Sequence, residues 1–161
     1  ICIGVQLLCQ SSEEGDTACI GIFDNRVRKF DTLFAEAGIL LPDATGTAAP
    51  LSDAGSCSAR QADVPADATI LRPAGRLKIP HMGWNSVENL RSELFTGIDQ
   101  GAYVYYVHSF APEVNADTIA TTTYGVPFSA AIRKDNFYGT QFHPEKSASI
   151  GAQILQNFLT L

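Results

Sequence analysis

The sequence predicts an α/β fold of one domain over residues 1–161: a mostly parallel sheet with helices on both faces, and antiparallel strands from about 103 to 142. Three observations carry this expectation. Residues 1–12 read as a strand end, a sharp turn and a helix, with Gly4 making room for the turn and Leu7 and Leu8 supplying an apolar face. Tyr103 to Val107 is a run of β-branched and aromatic residues, the pattern of a strand buried on both faces. At the tail, Ile150, Ile154, Leu155 and Phe158 fall on one stripe of a helix running from Ile150 to Leu161. A chain of 161 residues is long enough to enclose one real core.

The remaining elements follow in order. Glu13-Glu14-Gly15-Asp16 reads as the end of the first helix, and Val27 to Phe30 as a short strand with basic residues facing outward. Residues 42–68 carry Pro42, Pro50 and Pro65, with only Leu51 and Val64 as larger aliphatics. Such a stretch buries too little apolar surface to offset its ordering entropy, so it reads as a mobile surface insertion, with a substrate lid as the alternative. Gly83-Trp84-Asn85 beside Pro80 suggests a loop, followed by Val87 to Leu94 and a turn at Thr96-Gly97. Thr118 to Thr123 and Phe128 to Arg133 are strands joined by a turn at Tyr124-Gly125, and Asp135-Asn136 turns the chain into Phe137 to Phe142.

Composition narrows the function. Apolar residues make up 45% and charged residues 17%, an ordinary balance for a soluble globular protein. The formal charge is −6 with no Lys/Arg cluster, which argues against nucleic acid and anionic membranes as partners. No apolar run is long enough to span a bilayer, and no signal peptide is visible. Cys2, Cys9, Cys19 and Cys57 form no CxxC pair and no metal-like spacing with histidine. Reduced thiols in a cytoplasmic protein, with no metal and no cofactor, are the simplest expectation.

The chemistry concentrates in Gly139-Thr140-Gln141-Phe142-His143-Pro144-Glu145-Lys146-Ser147. Thr140 to Phe142 read as a strand end that Pro144 stops. His143 and Glu145 are two residues apart, which in extended chain puts both side chains on one side. A carboxylate beside an imidazole fixes its tautomer and stabilises its charged form, making it a usable general base. The matching nucleophile is Cys2, in Ile1-Cys2-Ile3-Gly4-Val5-Gln6. A thiolate attacks carbonyl carbon well, but a free thiol is mostly protonated at neutral pH. The following helix offers unpaired N–H groups and the positive end of its dipole, and His143 offers a proton acceptor. One cysteine alone is more often a small buried hydrophobe. The elbow and the distant His-x-Glu together favour catalysis, with the Ile3 N–H placed to stabilise an oxyanion.

These stretches resemble a known family. Ile-Cys-Ile-Gly-Val-Gln looks like the nucleophile elbow of class I, triad-type glutamine amidotransferases, and Phe-His-Pro-Glu like their His/Glu segment. Pro80-His81-Met82-Gly83-Trp84-Asn85, with Gln6-Leu7-Leu8 and Ser11-Ser12-Glu13-Glu14, is similar to the glutaminase subunits of imidazole glycerol phosphate synthases, across residues 1–30 and 77–161. The resemblance implies a flavodoxin-like class I amidotransferase fold. It implies Cys2 as nucleophile, His143 as base and acid, Glu145 as its orienter and Ile3 as an oxyanion donor. Gln6 would hold the L-glutamine substrate, and Ser109 and Phe110 would line its site through their backbone. Ammonia would pass to a (β/α)₈ cyclase subunit. Met82, Trp84, Asn85, Tyr105 and Lys146 sit where the family builds its barrel-facing surface, although Tyr105 alone reads as sheet packing and Lys146 alone as a solvated charge. His81 and His108 read as structural.

Some positions depart from the family pattern. Val5 stands where methionine is usual, and Ala148 where glycine is usual. The 42–68 insertion is long. The chain opens at Ile1 inside a motif, so the expectation is an N-terminally truncated fragment lacking the front strands and the second oxyanion donor, hence poorly active and poorly folded alone. Rival expectations are a glutaminase domain serving anthranilate or GMP synthesis, against which Pro80 to Asn85 argues, and a non-catalytic docking fragment, against which intact Cys2, His143 and Glu145 argue.

Overall fold

The computed structural model describes residues 1–39, 41 and 77–161, so the 42–68 expectation lies outside the described residues. The chain turns sharply at Cys2 into helix α1 (Ile3–Leu8). Short strands β1 (Ser11–Ser12) and β2 (Thr17–Ala18) follow, then β3 (Arg26–Lys29) and helix α2 (Phe30–Glu36). Strand β4 (His81–Val87) pairs with β5 (Ala102–His108). Then come β6 (Phe110–Pro112), β7 (Thr118–Tyr124), β8 (Val126–Lys134), β9 (Phe137–Thr140) and helix α3 (Ala148–Phe158).

Three sheets result among the described residues, in the orders β2-β1-β3-β6, β4-β5 and β7-β8-β9. The expected mostly parallel sheet is not what these residues form. Only β1 and β3 pair in parallel, and every other named pairing is antiparallel. The connections explain this. Gly125 and the turn at Asp135-Asn136 return the chain within one or two residues, which permits only antiparallel neighbours, whereas parallel neighbours need a long crossover.

Several boundaries differ from the sequence expectation for local reasons. The first helix ends at Leu8, and Glu13 to Asp16 instead lead through the β1–β2 turn, where Gly15 and Asp16 take positive φ. Phe30 does not close the strand at 27–30. It opens α2, and both Phe30 and Phe34 are buried one helical turn apart. Gly83-Trp84-Asn85 is not a loop but the middle of β4, where Gly83 lies opposite Tyr106, Trp84 opposite Tyr105 and Asn85 opposite Val104 of β5. Strand β5 is not fully buried on both faces. Val104, Tyr106 and His108 are buried, while Tyr103, Tyr105 and Val107 are half-buried. On α3, Ile154 is buried and Ile150 half-buried, but Leu155 and Phe158 are exposed, so the apolar stripe is narrower than its spacing suggests.

The main core gathers Phe30, Phe34, Val104, Tyr106, Phe128, Phe142 and Ile154. A second cluster of Val5, Cys9, Phe23, Val27 and Ile132 packs α1 against β3 and β8. Two histidines lie inside the main core. His108 Nδ1 meets the Phe110 carbonyl at 2.7 Å and therefore carries the hydrogen. A neutral His108 then accepts at Nε2 from His81 Nδ1, 2.9 Å away. His81 Nε2 in turn accepts from Asn85 Nδ2 at 3.3 Å. The Asn85 amide is fixed in that orientation, because its Oδ1 takes the Ser86 N–H and its Nδ2 also donates to the Thr123 carbonyl. Protonating either ring would set two N–H groups face to face. Burial lowers the His81 pKa to about 2 and the His108 pKa to about 4.

The neutral pair makes stability depend on pH. In the unfolded chain both histidines bind protons near their ordinary pKa of about 6.5, and in the folded chain they do not. The unfolded state therefore holds more protons from about pH 6.5 down to pH 4, and stability falls as pH drops through that window. The loss should approach ~1.4 kcal/mol per pH unit for each histidine, read as a falling urea midpoint between pH 7 and pH 5. A flat midpoint would contradict the neutral pair. A second expectation concerns Ala148, which takes φ 48° at the start of α3. A side chain in the left-handed region costs about 1–2 kcal/mol, and the added unfolded-state freedom of glycine returns about 0.4–1 kcal/mol. Ala148→Gly should therefore stabilise the protein by roughly 0.5–1 kcal/mol in chemical unfolding.

Candidate active site

Cys2 sits at the elbow with φ 47° and ψ −115°, a strained backbone at the turn into α1, with no strand before it among the described residues. Its N–H donates to the Thr140 carbonyl at 2.8 Å, which ties the elbow to the end of β9. Gly139 makes that approach possible, because a Cβ there would strike the Val5 side chain of α1. The Cys2 thiol faces the Val107 carbonyl of β5 at 3.8 Å.

The same strand holds the second group. The His143 N–H donates to the Tyr105 carbonyl at 2.9 Å. Ser147 Oγ donates to the His143 carbonyl at 2.6 Å and accepts the Tyr105 N–H at 3.0 Å. Ser147 is fully buried, so it clamps the histidine backbone to β5 from both sides. Sequence reasoning assigns Ser147 no role, because a buried hydroxyl with two backbone partners leaves no pattern in the chain.

His143 Nδ1 lies 2.7 Å from Glu145 Oε1. The contact arises differently from the extended alternation expected from the sequence. Pro144 opens a 3-10 turn over Pro144–Lys146, and the turn folds Glu145 back toward the ring. Desolvation works to raise the Glu145 pKa, but the hydrogen bond from His143, a backbone N–H and the charges of His143 and Lys146 together outweigh it and hold the carboxyl below its ordinary range. With Nδ1 engaged by the carboxylate, the ring's free position is Nε2. That atom is buried and has no hydrogen-bond partner among the described residues.

Burial raises the pKa of the Cys2 thiol, while the Ile3 N–H and the Gln141 side chain pull it down. The expected assistance from the helix start is thus present as one N–H directed at the sulfur, but desolvation outweighs it. Gln141 Nε2 lies 3.5 Å from the sulfur. Gln6, expected to hold substrate, is buried and donates from Nε2 to the Phe110 carbonyl and to Gln141 Oε1, each at 2.9 Å. Ser109 gives its carbonyl to the Phe30 N–H at 3.1 Å. Ser109 and Phe110 also border an open groove of about 630 Å³ with Lys29, Asp31 and Lys78. Among the described residues no group of three His, Cys, Asp or Glu side chains could hold a metal ion.

The five residues expected at a barrel-facing surface separate into two groups. Met82 is 56% exposed, Lys146 is exposed, and Tyr105 is half-buried beneath Lys146 Nζ, 5.9 Å from its ring centre. Trp84 packs edge-on against Tyr105 and is only 7% exposed. Asn85 faces the core in the histidine network and is not available at the surface. Trp84 and Asn85 lie in β4 and not in the expected loop, and that place is what buries them.

The whole chain, residues 1–161, matches the family described as glutamine amidotransferase class-I, and the protein belongs to that family. Among its relatives, it is 40% identical over 161 residues to the imidazole glycerol phosphate synthase subunit HisH of Bacteroides fragilis, and 40% identical over 163 residues to that of Escherichia coli. Each match covers 100% of this chain and 62% of the relative's length. A solved chain from Thermoplasma acidophilum, provisionally assigned as a GMP synthase subunit, shares 23% identity with a TM-score of 0.44, over 52% of this chain and 45% of that one. A likeness of that extent adds nothing to the assignment. No described helix is long and apolar enough to cross a membrane.

The geometry yields a labelling prediction. A glutamine analogue with an electrophilic side chain should modify Cys2 and leave Cys9 and Cys19 unmodified, as read by peptide mass spectrometry. Cys9 is fully buried, with its pKa pushed up to about 12 by desolvation, so it offers almost no thiolate. Modification at Cys19 in place of Cys2 would remove the nucleophile assignment.

Proposed function

We propose that the protein hydrolyses L-glutamine to glutamate and ammonia, and that the ammonia serves the cyclase subunit of an imidazole glycerol phosphate synthase in histidine biosynthesis. The observation that carries the reading is His143, held through Nδ1 by Glu145 with its Nε2 buried and unengaged among the described residues, and bonded to the same strand that faces the Cys2 thiol. The relatives named as subunits of that synthase supply the choice of partner.

In the proposed reaction, His143 Nε2 takes the thiol proton as Cys2 Sγ attacks the side-chain carboxamide carbon. The carbonyl oxygen becomes an oxyanion, with the Ile3 N–H as a donor beside it. The intermediate collapses to a thioester. The C–N bond breaks, and His143 returns its proton to the leaving nitrogen, which departs as ammonia. Water then attacks the thioester with His143 again as base, releasing glutamate and restoring the thiol. Glu145 stabilises the imidazolium at each proton transfer. Met82, Tyr105 and Lys146 form the accessible part of the proposed partner-facing surface, backed by Trp84. The reaction needs no cofactor, and a cytoplasmic setting belongs to the same proposal.

The test measures glutamate release with a purified cyclase barrel present. Cys2→Ala should abolish release. His143→Ala should lower it by roughly 10²–10⁴ while the circular dichroism spectrum stays unchanged. Full activity in Cys2→Ala would reject the hydrolytic reading. A barrel that neither binds nor alters the rate would reject the proposed partner.

A further inference from the structure

We propose that Gln141 is a positioning residue that presents a side-chain N–H to the Cys2 sulfur and thereby stabilises the thiolate. The inference rests on the reading of Cys2 as the nucleophile. Its basis is a directed chain of buried hydrogen bonds. Gln6 Nε2 is 2.9 Å from the Phe110 carbonyl, which can only accept, so the Gln6 amide nitrogen must point there. The same nitrogen is 2.9 Å from one end of the Gln141 amide, so that end must be the oxygen. The other end, 3.5 Å from Cys2 Sγ, is then the Gln141 nitrogen. The Phe110 carbonyl thus fixes the direction of both amides, and the sulfur meets a donor and not an acceptor.

Gln141 has little freedom to do otherwise. It is fully buried, and its backbone N–H donates to the Ala130 carbonyl of β8 at 2.8 Å. The thiol hydrogen has its own acceptor in the Val107 carbonyl, so the Gln141 N–H approaches the sulfur lone pairs. When the proton leaves for His143, that neutral contact becomes a charge-assisted one and strengthens. A side chain without a donor at 141 would leave the buried thiolate dependent on the Ile3 N–H and His143.

The experiment follows Cys2 alkylation by iodoacetamide from pH 6 to pH 10, quantified at the Cys2 peptide by mass spectrometry. Gln141→Met keeps length and removes the donor. It should slow alkylation about tenfold across the lower part of that range, the loss expected when the thiol's pKa rises by about one unit, while the Cys19 rate stays fixed. An unchanged Cys2 profile in folded Gln141→Met overturns the inference. Should the variant fail to fold, the unsubstituted protein decides by NMR. The Gln141 side-chain NH₂ resonances should titrate with Cys2 and stay flat in Cys2→Ala, and flat resonances in both proteins overturn the inference. Neither readout uses glutamine. A protein with the shifted profile that never hydrolyses glutamine rejects the proposed function alone, and one that hydrolyses glutamine with an unshifted profile rejects the role of Gln141 alone.

Discussion

The Phe110 carbonyl is the acceptor at which two buried hydrogen-bond chains end. One runs from Asn85 through His81 and His108. The other joins Gln6, which also reaches Gln141 and through it the Cys2 sulfur. A carbonyl oxygen has two lone pairs and no hydrogen, so it accepts both chains and sets the direction of each. The Gln6 and Gln141 amides take their direction from that fixed end, while the Asn85 amide, held by the Ser86 N–H and the Thr123 carbonyl, fixes the histidine chain from its other end. Burial keeps both histidines neutral, against the Phe110 hydrogen bond, which favours the charged form of His108, and the sulfur faces an N–H. Phe110 begins β6, whose pairing with β3 holds the carbonyl in place through Lys29 opposite Phe110 and Arg28 opposite Ala111. Arg28 reinforces the same region, bonding Glu13, Glu36 and Glu113 at once.

Strand β5 distributes that order to Cys2 and His143 of the candidate site. Its alternation sends Val104, Tyr106 and His108 into the core, where Tyr106 stacks on His81 and its hydroxyl meets Thr122 at 2.6 Å. The backbone between them serves the site: Tyr105 binds the His143 segment and Val107 faces the Cys2 thiol. The elbow and the His143 turn are distant in sequence, and neither makes a regular ladder with the other. They converge because each is bonded to the same short stretch of β5, and the elbow also to the end of β9.

The residues of the candidate site are more legible in the sequence than the architecture. Cys2 and His143-x-Glu145 stand out because residue type alone carries their reactivity, and the strained elbow at Cys2 matches the turn expected before Gly4. The antiparallel hairpins at Gly125 and Asp135 are legible from turn residues. Strand β4 is not, because Pro80 and Gly83 are loop signals in isolation and only pairing with β5 overrides them. Gln141 and Ser147 are equally hidden. Their roles depend on partners 139 and 42 positions away, a separation no local pattern records.

Burial sets the final balance at the site. Taking the Cys2 thiol out of water raises its pKa, so an isolated thiolate there is disfavoured. In the proposed reaction the proton moves to His143 and a thiolate and an imidazolium form together, and a buried ion pair costs less than two separate buried charges. Glu145 enters this balance from the solvent side. It is exposed and its carboxyl is held below the ordinary range, so in the proposed reaction it stabilises the imidazolium without requiring a third buried charge. The arrangement divides the cost of charge separation between water at one end, through Glu145, and fixed N–H donors at the other, at Ile3 and Gln141. A thiol in bulk water would ionise more readily, but its thiolate would be surrounded by solvent that must reorganise as the carbon–sulfur bond forms. Donors fixed by the fold do not reorganise, and that difference favours a buried nucleophile whose pKa is raised over an exposed one whose pKa is ordinary.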